Sequence, residues 1–189
     1  KTEPAIARAN RNKFDPVWQL WERCSVLLLN TGRTGKLEII ILGGTWSGYD
    51  ESYRTEYIRQ IYYAANTFYS PKHRRTHADE ESGVHYPYVP NRKPMSLADE
   101  ININAHATNV VKIIGLSIET RPDWITPDEI RLLRQYNVTR VQMGIQHIEN
   151  RILKKINRGC TVEDAMRAMQ LLLDNGFKVL VHYMPDLPG

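Results

Sequence analysis

The sequence predicts an α/β fold built on parallel strands. Four short runs of apolar, mostly β-branched residues end in glycine, proline or polar clusters, at positions 37–42, 111–118, 139–144 and 178–184. Helical periodicity fills the intervals between them, and this alternation is typical of parallel strands joined by crossover helices. A partial (β/α) barrel and an open doubly wound sheet both satisfy the pattern. The nearly continuous apolar runs further predict strands that are buried on both faces.

Capping signals delimit the predicted helices. Thr126 and Thr161 each precede an acidic residue by three positions, a pattern typical of a helix start. Gly176 follows the last periodic residue of the final helix, as expected at a carboxyl-terminal cap. The other predicted helices cover about 17–29, 53–61, 96–107 and 149–156.

Composition indicates a folded chain without a membrane span. Of 189 residues, 42% are hydrophobic and four are tryptophan, which argues against disorder. No apolar run reaches the roughly 18 residues that a membrane helix needs. The net charge of +4 permits a nucleic-acid partner without requiring one. The residues 70–94, rich in proline and histidine, are expected to form a long inserted surface loop.

The two cysteines, Cys24 and Cys160, are far apart in the sequence. Free thiols are ordinary in a reducing cytosol, and two are too few for an all-cysteine metal site. No metal ligand is therefore predicted in this chain.

Gly43, Gly44 and Thr45 directly follow the first predicted strand. Glycines at such a position let backbone amides approach a ligand closely. The carboxyl ends of parallel strands are also where α/β folds bind ligands. The same residues would equally make a tight turn into the next helix, and they do not form a P-loop.

Polar residues end the other predicted strands. Glu119 ends the second within a run of charges that either pair with one another or meet a ligand. Gln146 ends the third and Arg158 follows shortly after, so an amide and a guanidinium are available for a ribose or a carboxylate. His182 lies inside the last strand. Singly these residues suit a cap, a surface arginine and a core histidine, but together they indicate a shared pocket at one rim.

Basic residues occur near the amino terminus. Arg8, Arg11 and Lys13 form either a solvated surface or an RNA-binding patch. Lys36 precedes the first strand and, from the residues alone, is an exposed loop lysine.

Six ordered motifs resemble the catalytic subunit of Elongator, a radical S-adenosylmethionine (SAM) family. They are Glu-Pro at 3–4 with Arg-Ala at 8–9 and Asp-Pro at 15–16, Gly-Gly-Thr at 43–45, Ile-Glu-Thr-Arg-Pro-Asp at 118–123, Thr-Arg-Val-Gln-Met-Gly-Ile-Gln at 139–146, Asn-Arg-Gly-Cys-Thr-Val at 157–162 and His-Tyr-Met-Pro-Asp-Leu-Pro at 182–188. The resemblance covers the chain except the loop. It implies a partial (β/α) barrel of the radical SAM type, with residues 1–189 as the core of that domain.

The family pattern also implies what lies elsewhere. The three cysteines that hold the family's [4Fe-4S] cluster precede the first motif, so the chain is expected to be an internal fragment lacking the cluster-binding N-terminal part. The family's acetyltransferase-like domain is likewise expected to lie outside residues 1–189. The fragment by itself is therefore expected to be inactive.

The implied cofactors are SAM and the [4Fe-4S] cluster, with acetyl-CoA as a substrate. In the implied reaction a 5′-deoxyadenosyl radical takes hydrogen from the acetyl group, and the carbon radical adds to C5 of uridine 34 in transfer RNA. Thioester hydrolysis then leaves a carboxymethyl group. The implied partners are transfer RNA and, in a eukaryote, other Elongator subunits. The implied location is the cytoplasm and, in a eukaryote, also the nucleus.

Carried over residue by residue, the Gly-Gly-Thr motif at 43–45 matches the one that holds the methionyl end of SAM. Glu119, Gln146 and Arg158 match positions that contact SAM in related radical enzymes, and His182 matches a polar position near the adenosyl group.

Lys36 matches a family lysine associated with acetyl-CoA. Together with Glu119 it is a candidate for a catalytic role. Two other functions stay open: a non-catalytic RNA-binding barrel module, and another radical SAM enzyme of the coproporphyrinogen-oxidase-like group.

Overall fold

Helices and strands alternate along the chain, and the computed structural model describes residues 3–69, 77–78, 85–86 and 92–188. In that part of the chain the helices are α1 (Pro4–Arg11), α2 (Pro16–Thr31), α3 (Glu51–Thr67), α4 (Leu97–His106), α5 (Pro127–Gln135), α6 (Asn150–Lys155) and α7 (Val162–Asp174). The strands are β1 (Lys36–Ile41), β2 (His77–Ala78), β3 (His85–Tyr86), β4 (Lys112–Thr120), β5 (Arg140–Gln146) and β6 (Lys178–Tyr183).

The main sheet has four strands in the order β1-β4-β5-β6. Strand β4 pairs with β5, and β5 with β6, in parallel. Each successive strand adds to the same edge, whereas a doubly wound sheet reverses direction at a switch point. The order therefore confirms the predicted α/β fold and favours the partial barrel over the open doubly wound sheet.

Burial differs between the central and the edge strands. In β5, residues 141–144 are all buried, as predicted. The edge strands β1 and β6 instead mix exposed and half-buried positions; Ile40 is 49% exposed and Leu180 42%. The prediction that all four strands are buried on both faces is wrong for these two, because an edge strand has a neighbouring strand on one side only. It is also wrong for the start of β4, where Ile114 is 55% exposed and lies before the residues that pair with β5.

The chain divides into two compact parts, one of residues 1–37 with 55–114 and one of residues 38–54 with 115–189. In the first part α2 packs against α3, where the Trp21 indole nitrogen donates a 2.9 Å hydrogen bond to the Ala64 carbonyl. Cys24, Ile58 and Phe68 are fully buried in the core of this part.

A buried carboxylate organises α4 in the first part. Glu100 is 0% exposed and accepts hydrogen bonds from both terminal nitrogens of Arg92, at 2.5 and 2.7 Å. The Met95 amide and the Asn66 side chain donate further bonds at 2.9 and 2.8 Å. Burial by itself raises the pKa of Glu100, but these hydrogen bonds outweigh it and leave that pKa below 4.5.

In the second part α5 and α7 provide the apolar cover of the sheet. Ile118, Leu133, Met143 and Leu172 are fully buried there. Helix α7 begins with a complete capping box, in which Thr161 and Asp164 exchange hydrogen bonds between side chain and backbone. At α5 only half of that pattern forms, since Thr126 accepts from the Glu129 amide.

The predicted helices are present, and their ends lie within two residues of the predicted ones except for α3, which continues to Thr67, six residues beyond its predicted end at 61. Helix α1 was not predicted; it has Pro4 at its first turn and ends at the turn around Asn12. Most of the predicted loop 70–94 lies outside the described residues; within it, β2 and β3 pair antiparallel. None of the described helices combines the length and apolar character of a membrane span.

The Glu100 carboxylate predicts acid-sensitive stability. Its pKa is lower in the folded than in the unfolded chain, so its stabilising effect is complete above the unfolded value of 4.5 and is lost as the pH falls through the folded value. We expect the urea unfolding free energy to fall more steeply in the wild type than in Glu100→Gln between about pH 5 and about pH 3.

Asp128→Asn is the matched control, because its side chain is 92% exposed. This variant should keep the wild-type slope. A Glu100→Gln slope equal to that of the wild type would contradict the role of the buried carboxylate.

Candidate functional site

The loop after β1 exposes its backbone. Gly43 and Gly44 have φ angles of +137° and +86°, which side-chain-bearing residues rarely adopt. No atom lies within 4 Å of a Cβ added at either position, so the space beside this backbone is open. Thr45 then caps a short 3-10 helix, Trp46–Gly48, with its carbonyl accepting from the Gly48 amide at 3.1 Å.

A buried polar network ties this loop to the end of β4. Thr120 donates to the Ser47 hydroxyl at 2.9 Å, and Ser47 donates to Glu129 at 2.7 Å. Arg54 donates from one nitrogen to both Glu129 oxygens, at 2.8 and 2.9 Å. Ser47 follows Thr45 by two residues and Thr120 directly follows Glu119, so this network holds two of the predicted site segments together.

Glu119 and His182 also meet. The His182 Nδ1 atom lies 3.4 Å from Glu119 Oε1, and its Nε2 atom lies 3.1 Å from the side-chain oxygen of Gln142. Gln142 in turn donates to Ser117 at 3.1 Å. Each ring nitrogen thus faces an acceptor oxygen, and the ring donates to one or to both according to its protonation.

Gln146 and Arg158 pack together over Gly144. A Cβ at position 144 would lie 2.9 Å from an Arg158 nitrogen and 3.0 Å from the Gln146 amide nitrogen, so a larger residue there would push the ends of both side chains aside. Arg158 donates to the Gly144 carbonyl at 2.5 Å. Gln146 has a φ of +68°, an uncommon conformation for its residue type, at a bulge in the β5–β6 pairing.

Two polar atoms in this pair have no partner. The side-chain oxygen of Gln146 and the Nε of Arg158 are buried and make no hydrogen bond. An unpaired buried polar atom costs about 1–3 kcal/mol, and a bound ligand is one way to supply the missing partner. One acceptor and one charged donor at the carboxyl end of a parallel strand suit a polar cofactor such as SAM.

The charges at the exit of β4 divide between two partners. Arg121 pairs with Asp123 through two bonds, at 2.9 and 2.8 Å, and donates to the Gly159 carbonyl at 3.3 Å. Gly159 has a φ of +76°, and a Cβ there would lie 3.1 Å from Arg121. The structural ion pair is therefore Arg121–Asp123, and Glu119 has His182 as its partner instead.

The described residues offer no metal site. No group of three His, Cys, Asp or Glu side chains in them could hold an ion. Both cysteines are buried and free, and burial raises the pKa of Cys160 and raises that of Cys24 to about 12. Two thiols are too few to hold an iron–sulfur cluster, whereas the open glycines and the unpaired Gln146 and Arg158 atoms fit SAM.

The remaining predicted residues lie elsewhere. Lys36 is exposed and is the first residue of β1, whereas the 43–45 loop follows the last residue of that strand. Arg8 lies half-buried on α1, and Lys13 is exposed in the turn after it with a φ of +51°. Arg11 forms an ion pair with the buried Glu22, so part of its charge is neutralised locally.

Sequence reasoning missed the members of the buried network. Arg54 and Glu129 are 75 positions apart, and nothing local distinguishes either from a surface residue. The network borders a hollow of about 450 Å³ that was also unforeseen. Its walls come from the 3-10 helix Trp46–Gly48, the start of α3, the segment before α5 and α5 itself: Ser47, Glu51, Arg54, Asp123, Trp124, Thr126, Asp128, Glu129, Arg131, Leu132 and Gln135.

Comparison with known proteins gives this geometry a family context. The chain is 35% identical over 187 residues to the tRNA uridine(34) acetyltransferase of Methanocaldococcus infernus, covering 99% of this chain and 30% of that protein. It is 30% identical over 187 residues to Elongator complex protein 3 of Mus musculus, covering 99% of this chain and 29% of that protein. The chain thus spans about three-tenths of the length of these relatives.

A solved structure agrees with the sequence relatives. The archaeal Methanocaldococcus infernus Elp3 with an N-terminal deletion (1-46) superposes with a TM-score of 0.77 at 34% identity, covering 100% of this chain and 37% of that one. Residues 27–189 match the radical SAM superfamily. Because this match spans well over half of the chain, the protein belongs to the radical SAM superfamily.

Proposed function

We propose that the carboxyl end of the sheet binds SAM and that the chain acts in an enzyme that modifies uridine 34 of transfer RNA. The observation that carries the proposal is the pair of unpaired buried atoms on Gln146 and Arg158, placed at the sheet edge of a radical SAM protein. The radical SAM family implies SAM and an iron–sulfur cluster as cofactors.

Each side chain has a role that its chemistry supports. The open amides of Gly43 and Gly44 donate to the carboxylate of the methionyl end. Gln146 and Arg158 supply an acceptor and a charged donor for the remaining polar groups. When bound, SAM supplies a 5′-deoxyadenosyl group for radical chemistry, and the chain's own residues position it.

Glu119 is the acidic member of the proposed site. Its carboxylate lies 3.4 Å from His182 and is 28% exposed, so it is oriented yet still accessible. A carboxylate in this state accepts hydrogen bonds from an ammonium or from ribose hydroxyls, which SAM carries. His182, on β6 beyond the intervening β5, fixes its orientation and is proposed to contact the adenosyl group.

The finer reaction is also a proposal. The names of the relatives support uridine 34 as the target and an acetyl group as the group that is transferred. Acetyl-CoA as substrate and a carboxymethyl product follow from the resemblance of the motifs, with Lys36 as the ammonium that contacts the CoA. Assembly with other Elongator subunits follows for a eukaryotic protein only.

Removing the Arg158 guanidinium should weaken SAM binding. A hydrogen bond to a charged group contributes about 1.5–3 kcal/mol, so Arg158→Ala should raise the Kd for SAM about 10- to 100-fold. Isothermal titration of SAM into the purified chain measures this, with circular dichroism confirming the fold.

Arg151→Ala is the control, because Arg151 lies on the nearby α6 with its side chain 69% exposed. It should leave the Kd unchanged. Equal affinities of Arg158→Ala and the wild type, or no SAM binding by the wild type, would refute the pocket.

A chimera tests the reaction. The 187 aligned residues of the Methanocaldococcus infernus relative are replaced by this chain, and modified uridine 34 is measured by mass spectrometry of the transfer RNA. The chimera should modify the nucleoside, and Glu119→Gln should lower the rate about tenfold or more by weakening a charge-assisted contact.

Glu163→Gln serves as the control in the chimera, because Glu163 is exposed in the first turn of α7 and bonds Asn150, which is not a residue of the proposed site. A chimera that binds transfer RNA with salt-dependent affinity but shows neither SAM cleavage nor product would favour the non-catalytic RNA-binding alternative.

We propose Arg8, Arg11 and Lys13 as the transfer RNA contacts. If Lys13 contacts a phosphate, Lys13→Ala should weaken binding and reduce the slope of log K against log salt by about one. Filter binding across a salt series measures this.

Arg11→Ala should reduce the slope less, because Glu22 already neutralises part of the Arg11 charge. A slope unchanged by Lys13→Ala would place the RNA contacts elsewhere.

A further inference from the structure

We propose that Arg54 and Glu129 form a positioning pair for the SAM-binding loop. This inference rests on the proposed SAM site. In this proposal, Arg54 and Glu129 fix the position of Ser47, and Ser47 fixes the 43–45 loop against the end of β4.

The hydrogen bonds of the network run in one direction. Ser47 has a single hydroxyl proton, which it donates to Glu129 at 2.7 Å, so its oxygen is left to accept from Thr120 at 2.9 Å. Glu129 accepts from Arg54 on both oxygens, at 2.8 and 2.9 Å. Each hydroxyl proton between Thr120 and Glu129 therefore has a single acceptor, and the Ser47 side chain has a single orientation.

The network reaches two parts of the proposed site through the backbone. Ser47 lies in the short 3-10 helix whose cap is Thr45, the last residue of the glycine loop. Thr120 is the last residue of β4 and the neighbour of Glu119. A shift of Ser47 thus moves the glycine amides relative to the carboxylate, and both are proposed to contact the same cofactor.

Burial makes the pair an orienting device more than a source of stability. The side chains of Arg54 and Glu129 are each 8% exposed. The cost of desolvation cancels most of the attraction within a buried ion pair. Replacing such a pair with apolar residues of the same volume is often neutral for stability or even stabilising. Arg54 also leaves part of its hydrogen-bonding capacity unused. One of its nitrogens makes both bonds to Glu129, and the buried Nε of Arg54 has no partner.

None of the four side chains is proposed to touch SAM. Ser47 and Thr120 are 3% and 2% exposed, and each is bonded within the network. Their effect on the cofactor is therefore indirect. They should change the affinity for SAM and the mobility of the loop.

The test uses Ser47→Ala and Glu129→Gln in the purified chain. Ser47→Ala removes one oxygen from a buried position and disconnects the loop, while Glu129→Gln removes the charge that orients both donors. We expect each to raise the Kd for SAM about tenfold, the equivalent of about 1.4 kcal/mol. Amide hydrogen exchange at Gly48 and Tyr49, whose amides are hydrogen-bonded in the short 3-10 helix, should accelerate in both variants without added SAM.

Leu172→Ala is the matched control for general destabilisation. Leu172 is 0% exposed in the core of the same part of the chain, and its truncation costs about 2–5 kcal/mol without touching the network. The folded control should keep the wild-type Kd and the wild-type exchange at Gly48 and Tyr49. If it loses SAM affinity as the network variants do, the effect is one of stability and the inference is wrong.

The remaining outcomes separate this inference from the proposed function. If the wild type binds SAM and both network variants bind it equally well, the positioning role is refuted while the SAM site stands. If the wild type binds no SAM, the proposed function fails. Should Glu129→Gln not fold, Ser47→Ala decides alone.

Discussion

The parallel pairing of β4, β5 and β6 is the constraint on which the proposed site depends. Parallel strands run in the same direction, so their carboxyl ends lie at the same end of the sheet. Glu119 on β4, Gln146 on β5 and His182 on β6 are therefore all placed at that end. A shift by one residue would turn each side chain to the opposite face. The bulge between Gly144 and Gln146 is the one place where this pairing departs from regularity, and it is where Gln146 takes its left-handed conformation.

Charge at this edge is partitioned by short-range geometry. Arg121 is two residues from both Glu119 and Asp123, yet it bonds only Asp123 and reaches across to the Gly159 carbonyl. That choice leaves Glu119 with His182 and links the exit of β4 to the segment that carries Arg158. Glycines 144 and 159 make the arrangement possible, since a Cβ at either would press on an arginine.

The buried polar networks of the two parts have the same logic. Glu100 in the first part and Glu129 in the second are both held by an arginine and further donors, and both lie where chain segments distant in sequence converge. Each costs desolvation, and each fixes the relative position of its segments in return. In the second part, those segments are the glycine loop and the end of β4, which gives the network its proposed functional consequence.

Interactions between residues close in sequence determine the helices and strands, so these elements and the family motifs can be recognised from the sequence alone. Capping at Thr161, the glycines at 43–44 and the apolar runs of the strands depend on nearby residues, so the α/β class, the helices and the candidate residues could be read from them. The tertiary structure decided what depends on contacts between distant segments: the barrel-like strand order, the exposure of β1 and β6, the contact of Glu119 with His182, and the buried Arg54–Glu129 pair. Pair contacts across tens of residues carry no local periodicity or cap signal, because either partner alone satisfies the pattern of an ordinary surface residue.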